Sequence, residues 1–216
     1  MTKARLGLAI LSVGIIAGSV GAVAADKASK PSLNNTISVE FGPEYKTTDS
    51  SWADDYIKLG YSHLFDNNFV MGSSFQYSLR SDATSIDQVE ASLGYKFKSG
   101  PLTLTPSAIL GYGFGDQPKI NPAKGHGSDP DGYYAVSLAA DLKLDDHWTW
   151  NVVNARYRNA FDYTWITPKV STGVTYKFDA ADAIYANVGY AWKDKGDGKD
   201  LLSDKWNVAI GYKFSF

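Results

Sequence analysis

The sequence predicts an all-β fold, a transmembrane antiparallel up-and-down β-barrel of ten strands, with eight or twelve as neighbouring counts that the pattern also admits. Three observations point there. Apolar residues arrive by alternation rather than in blocks, and mean hydropathy is only −0.24. In the last twelve residues Trp206, Val208, Ile210, Tyr212, Phe214 and Phe216 take one parity, while Lys205, Asn207, Ala209, Gly211, Lys213 and Ser215 take the other. Such a strand presents one face to hydrocarbon and one to water, and about ten tilted residues are enough to cross a bilayer within a closed barrel. Finally, short turns and longer Asp- or Gly-rich loops alternate along the chain, as they do when hairpins run up and down.

The elements follow in order. A first strand spans about Thr36 to Lys46, with Ile37, Val39, Phe41 and Tyr45 on the apolar side. After a polar loop, Thr47 to Ala53, a second carries Ile57, Leu59, Tyr61, His63 and Phe65, and Asp66-Asn67-Asn68 turns it into a third with Phe69, Met71, Phe75, Tyr77 and Leu79. A fourth strand shows Val89, Ala91, Leu93, Tyr95 and Phe97. Beyond Lys98-Ser99-Gly100-Pro101 a fifth shows Leu102, Leu104, Ala108, Leu110, Tyr112 and Phe114. Gly115 to Gly132, with Pro118, Pro122 and Pro130, reads as an exposed loop. The sixth strand runs from Tyr134 to Leu144. In the seventh, Trp148, Trp150 and Val152 have one parity and Val153, Ala155 and Tyr157 the other, which a β-bulge at Val152/Val153 reconciles by turning Asn154, Arg156 and Arg158 inward. An eighth strand from about Trp165 to Phe178 and a ninth with Ile184, Ala186, Val188, Tyr190 and Trp192 precede the loop Lys193 to Asp204 and the closing strand.

At the other end, Lys3 and Arg5 precede an apolar, Gly-containing run and the small residues Ala22-Val23-Ala24-Ala25, so residues 1–25 read as a cleaved secretory signal peptide. Residues 26–35 read as a periplasmic tail and 36–216 as the barrel. There is no Cys, which excludes disulfides, thiolate metal sites and a lipidated N-terminus. Without Lys3 and Arg5 the 21 basic residues become 19 against 23 acidic, a balance that excludes nucleic acid as a partner.

A terminal Phe preceded by alternating apolar residues resembles the last strand of bacterial outer-membrane β-barrel proteins. That resemblance implies a place in the outer membrane, contact with its lipids and lipopolysaccharide, and Tyr212, Phe214 and Phe216 as the signal read by the barrel-assembly machinery. Parity alone does not say which side of a strand faces inward, and a soluble barrel alternates too. The signal peptide, the terminal Phe, the aromatics gathered at strand ends and the asymmetry of connections together select the membrane form. A repeated fragment, Gly94-Tyr95-Lys96-Phe97, Thr175-Tyr176-Lys177-Phe178 and Gly211-Tyr212-Lys213-Phe214, marks the inner headgroup level. A looser similarity to small oligosaccharide porins lies in size, hairpin rhythm and the basic positions Arg156, Arg158 and Lys169.

The inward parity is rich in Gly, Ser, Thr and Ala, which leaves volume for water and points to a narrow diffusion channel for small solutes. The alternative is a sealed structural or surface-interaction barrel, in which inward Gly eases curvature and Glu40, Glu90, Lys58, Arg156 and Lys169 pair across the lumen. Lys96, Lys143, Lys177 and Lys213 fall on the inward parity near the periplasmic strand ends, so they form an expected cationic ring that favours anions.

Enzymatic chemistry finds little support. His126-Gly127-Ser128 resembles the His-x-Ser pair of lipid A deacylases but sits in a flexible loop, poor support for a positioned base and nucleophile. Asp54 and Asp55 supply at most half of the acid constellation of an omptin-like protease. Asp-rich loops at 129–132 and 194–200 lack the spacing of an EF-hand. No cofactor or metal is expected, and the oligomeric state is left open.

Overall fold

The computed structural model describes residues 33–80, 85–114, 132–161, 164–194 and 200–216. The expected signal peptide, most of the expected tail, His126, residues 129–131 of one Asp-rich loop and residues 195–199 of the other lie outside the described residues. Eleven strands form: β1 Asn35–Lys46, β2 Trp52–Leu64, β3 Phe69–Arg80, β4 Ser85–Tyr95, β5 Phe97–Ser99, β6 Leu102–Phe114, β7 Gly132–Lys143, β8 Trp148–Ala160, β9 Lys169–Lys177, β10 Asp182–Asp194 and β11 Leu201–Ser215. The chain interrupts the ladder at Lys96, but β4 and β5 both pair with β6, so together they make one crossing and the closed antiparallel barrel has ten.

Each strand pairs with its sequence neighbours, and β1 pairs with β11 from Thr36↔Ser215 to Lys46↔Lys205. Closure leaves no open edge, the condition for carrying strands through hydrocarbon. The seam is tied at its inner end by reciprocal backbone bonds between Asn35 and Phe216, at 3.1 and 2.8 Å. No helix among the described residues is long and apolar enough to cross a membrane. The crossing is made by strands.

Burial is inverted relative to a soluble protein. Ile210 and Leu110 are 65% and 62% exposed, whereas Tyr133 and Ala209 on the opposite parity are 0% and 2% exposed. The apolar parity therefore forms the outer wall. Aromatics cluster at the inner end of that wall, with Tyr95 against Phe69 and Phe97 (ring centroids 5.1 and 4.7 Å) and Tyr176 against Trp148 and Phe178 (4.9 and 5.3 Å). Short turns follow the sequence pattern, with positive φ at Asn68 and Gly100, residues that tolerate it.

The bulge in the seventh crossing is present: the β8–β9 register shifts between Asn151 and Asn154. Thr172, on the lipid side, satisfies the carbonyl that the bulge frees, donating to Asn151 O at 3.0 Å. Two segments differ from expectation. Of the stretch read as a loop from Lys193 to Asp204, residues 193–194 and 201–204 are strand, because β10 and β11 pair out to Asp194↔Leu201. Above the membrane both faces of a hairpin meet water, so alternation stops being a signal there. The eighth crossing is assigned as strand only from Lys169, yet Thr167 N–H donates to Arg158 O and the carbonyls of Ile166 and Pro168 accept from Asp194 and Trp192, so its backbone continues outward.

Candidate functional site

The site is the inward wall. Three tyrosines lie there directly opposite glycines in the ladder: Tyr56 opposite Gly42, Tyr133 opposite Gly111, Tyr185 opposite Gly211. A Cβ on any of these glycines would overlap the facing ring, so the ring packs flat on bare backbone. Small inward residues thus serve two purposes, and part of the volume they leave is filled with aromatic rings rather than water. This corrects the reading of the inward glycines as open space. Tyr56, Tyr133 and Tyr185 were legible as inward by parity, but their Gly partners emerge only from strand register.

A buried hydroxyl needs a partner, and two glutamates provide it. Tyr56 donates to Glu40 Oε1 at 2.8 Å and accepts from Asn207 Nδ2 at 3.3 Å, and Tyr185 lies within electrostatic range of Glu40. Tyr133 donates to Glu90 Oε1 at 2.8 Å. Glu90 is bound by Arg156 as well, at 2.5 Å from Nη2 and 3.4 Å from Nη1, and Lys58 Nζ lies 3.7 Å from its other oxygen. Farther out, Glu44 is flanked by Lys205 at 3.3 Å and Lys169 at 3.5 Å, and Lys205 also bonds Asp54.

Arg158 is held differently. Its guanidinium lies 3.9 Å from the centroid of the Trp165 ring and 5.3 Å from that of Tyr133, and its Nε donates to Thr167 Oγ1 at 2.8 Å. Among the described residues no carboxylate forms an ion pair with it. Two π faces and a hydroxyl orient the group while leaving its charge unneutralised.

These groups surround a cavity of about 760 Å³. Its wall carries seven bases (Lys46, Lys58, Arg156, Arg158, Lys169, Lys193 and Lys205) and four acids (Glu40, Glu44, Asp54 and Asp204). Glu90 adds a fifth acid without reversing the excess of positive charge.

Below, Lys213 Nζ sits 4.5 Å from the Tyr185 ring centroid, and Lys96 lies within electrostatic range of Lys98, Lys177, Lys213 and Asp141. Asp141 accepts from Asn151 Nδ2 at 2.7 Å, and Asn151 accepts from Thr175. Lys143 is not drawn into this group: it pairs with Asp146 of the adjacent turn at 2.7 Å and is 58% exposed. Parity placed it on the inward side, but at a strand end an acid three residues on offers a nearer partner. Of the nine lumen residues expected from sequence, Glu40, Glu90, Lys58 and Arg156 come together at mid-lumen, Lys169 joins Glu44, and three of the four ring lysines share the inner mouth. Glu44, Lys205 and Trp165 were not singled out from sequence, and Asp54 was weighed only as part of a protease acid pair.

Neither histidine ring among the described residues is hydrogen-bonded to a carboxylate or a nucleophile. His63 Nδ1 bonds Asn35 Oδ1 at 2.9 Å, and His147 Nδ1 bonds Lys177 O at 2.9 Å. Asp54 and Asp55 diverge as strand neighbours do, Asp54 to Lys205 and Asp55 to the Trp52 indole at 3.0 Å. No cluster of three potential metal ligands occurs among the described residues.

No protein-family model matches the chain, and no curated protein does. Solved structures do resemble it. The KdgM porin is 16% identical over 83% of this chain and 99% of its own, with a TM-score of 0.46. The NanC porin is 12% identical over 82% and 100%, TM-score 0.45. The outer membrane protease OmpT from Escherichia coli is 9% identical over 85% and 97%, TM-score 0.46. In architecture the chain is a closed ten-strand antiparallel up-and-down β-barrel, and its function has to be argued from its own lumen.

Proposed function

We propose that the protein is a passive diffusion channel of the bacterial outer membrane that admits small solutes and prefers anions. The observation that carries this reading is the cavity inside the barrel, with its excess of basic side chains and an Arg158 that forms no ion pair with a carboxylate among the described residues. Fixed positive charge in a low-dielectric wall raises the local concentration of anions and excludes cations. Lys96, Lys177 and Lys213 repeat that sign at the inner mouth. Export by a signal peptide at residues 1–25, insertion by the barrel-assembly machinery through Tyr212, Phe214 and Phe216, and lipopolysaccharide around the outer rim belong to the same proposal.

Planar-bilayer recording under a salt gradient tests it. The wild-type protein should conduct with a reversal potential on the anion side, and Lys96→Glu, Lys177→Glu and Lys213→Glu combined should move that potential toward cations. Cation preference in the wild type would mean that Glu40, Glu44 and Asp54 outweigh the bases. A second reading, a sealed structural barrel, is favoured by the ion pairs that reach across the lumen, and absence of conductance would select it.

A further inference from the structure

Glu90 occupies an unusual place in the closed sheet. It projects from β4, while the two cations it holds come from β2 and β8. With β4 and β5 counted as one crossing, β2 and β8 are five steps apart in either direction around the ten. They are opposite walls. The chain Lys58–Glu90–Arg156 therefore runs across the barrel rather than along its wall, with the Tyr133 hydroxyl fixing the same carboxylate. Both glutamate oxygens are engaged, and its side chain is only 11% exposed, against 22% for Arg156 and 31% for Lys58. Lys58 and Arg156 line the cavity, whereas Lys96, Lys177 and Lys213 do not, so the rod lies between the cavity and the inner mouth.

We propose that Glu90 sets the size limit of the lumen by pinning Lys58 and Arg156 together across its diameter. Calling this a limit on permeation rests on the channel reading above; the barrier itself does not. Lys58 has a second acid within reach of its own strand pair, because Glu40 is its direct cross-strand partner on β1. Without the Glu90 carboxylate Lys58 can lie along the wall beside Glu40, and Arg156 keeps Tyr133, Arg158 and Lys169 as neighbours but loses the carboxylate of β4 that holds it. The transverse rod then separates into two wall-bound side chains. Lys205 bonds Glu44 and Asp54 along the consecutive strands β11, β1 and β2, and Lys169 of β9 reaches Glu44 from three strands away, but no acid of that group ties two strands that lie five steps apart as Glu90 does.

The test uses the full-length mature chain carrying Ser92→Cys as a reporter, since Ser92 is inward on β4 and one inward position nearer the periplasm than Glu90. A membrane-impermeant sulfonated maleimide is applied to the outside of intact cells. Glu90→Ala should label several-fold faster than the Ser92→Cys parent, and Asp146→Asn, which removes an ion pair in a turn outside the lumen, at the parental rate. Glu90→Gln, which keeps the shape of the side chain, should also accelerate labelling if Glu90→Ala does not assemble, and heat-modifiable migration identifies the folded variants. Liposome swelling with sugars of graded size should show a larger cut-off in the Glu90 variants. Unchanged labelling in folded Glu90→Gln overturns the proposal even where the wild type conducts. Faster labelling with no conductance in any variant upholds the barrier and overturns the channel.

Discussion

Gly111 and Tyr133 illustrate how single residues shape this lumen, since the absence of one side chain is the seat of another. Gly111→Ala should cost about 1–3 kcal/mol, the range for overpacking a filled site, measured as urea-induced unfolding from lipid vesicles. The mutation should be partly rescued by Tyr133→Ala, which removes the colliding ring. Lys205 is the common partner of Glu44 and Asp54, so Lys205→Met leaves two acids facing each other and should cost about 3 kcal/mol, the lower end for a broken buried pair because the cavity admits water. Asp145, in the inner turn, accepts the backbone N–H groups of His147 and Trp148 at 2.7 and 2.6 Å, which hold its carboxyl below the usual value. A depressed folded-state value means that the cap is present above the ordinary carboxyl range and lost as pH falls through the folded one. NMR titration of that carboxyl should give a midpoint below about 3.9.

Among the elements, β8 depends on one extra residue. The bulge between Asn151 and Asn154 lets Trp148 and Trp150 face the lipid on one side and Arg156 and Arg158 face the lumen on the other. Deleting Val153 would restore uninterrupted pairing and put one of those two sets on the wrong face, because strand parity has a period of two. An arginine facing mid-bilayer lipid costs about 2–4 kcal/mol, so the deletion should abolish the folded, faster-migrating band in unboiled detergent gels. The broken alternation made this bulge readable beforehand. The outward extension of β10 and β11 was not readable, because outside the membrane a polar hairpin has no parity to display.

At the scale of the whole molecule, closure between Asn35 and Phe216 joins the first and last strands and leaves both ends on the side of the short turns. Cysteines introduced at Asp49 should therefore react with impermeant reagent from outside intact cells and those at Asn67 should not; the reverse result would invert the topology. Removing Phe216 takes away both backbone bonds of the reciprocal pair at the seam as well as an aromatic of the last strand, and should lower the fraction of heat-modifiable protein recovered in the outer membrane.

Alternation, read together with the aromatic strand ends, the terminal Phe, the apolar N-terminal run and the rhythm of the connections, pointed to a barrel with an apolar outside, to roughly where each crossing begins, to the bulge in β8, and to which side chains share the inward parity. Each of these depends only on a residue and its neighbours in sequence, because a strand turns every second side chain the same way. Who meets whom inside was decided by the tertiary structure. Tyr133 lies on Gly111, Lys205 between Glu44 and Asp54, and Glu90 between opposite walls because closure and register bring distant residues to one level of the lumen. Parity carries no record of that level, and so the lumen appeared from sequence as a list of small and charged residues, while in the folded barrel the same residues are sorted into filled sites, a charged cavity and a transverse bar.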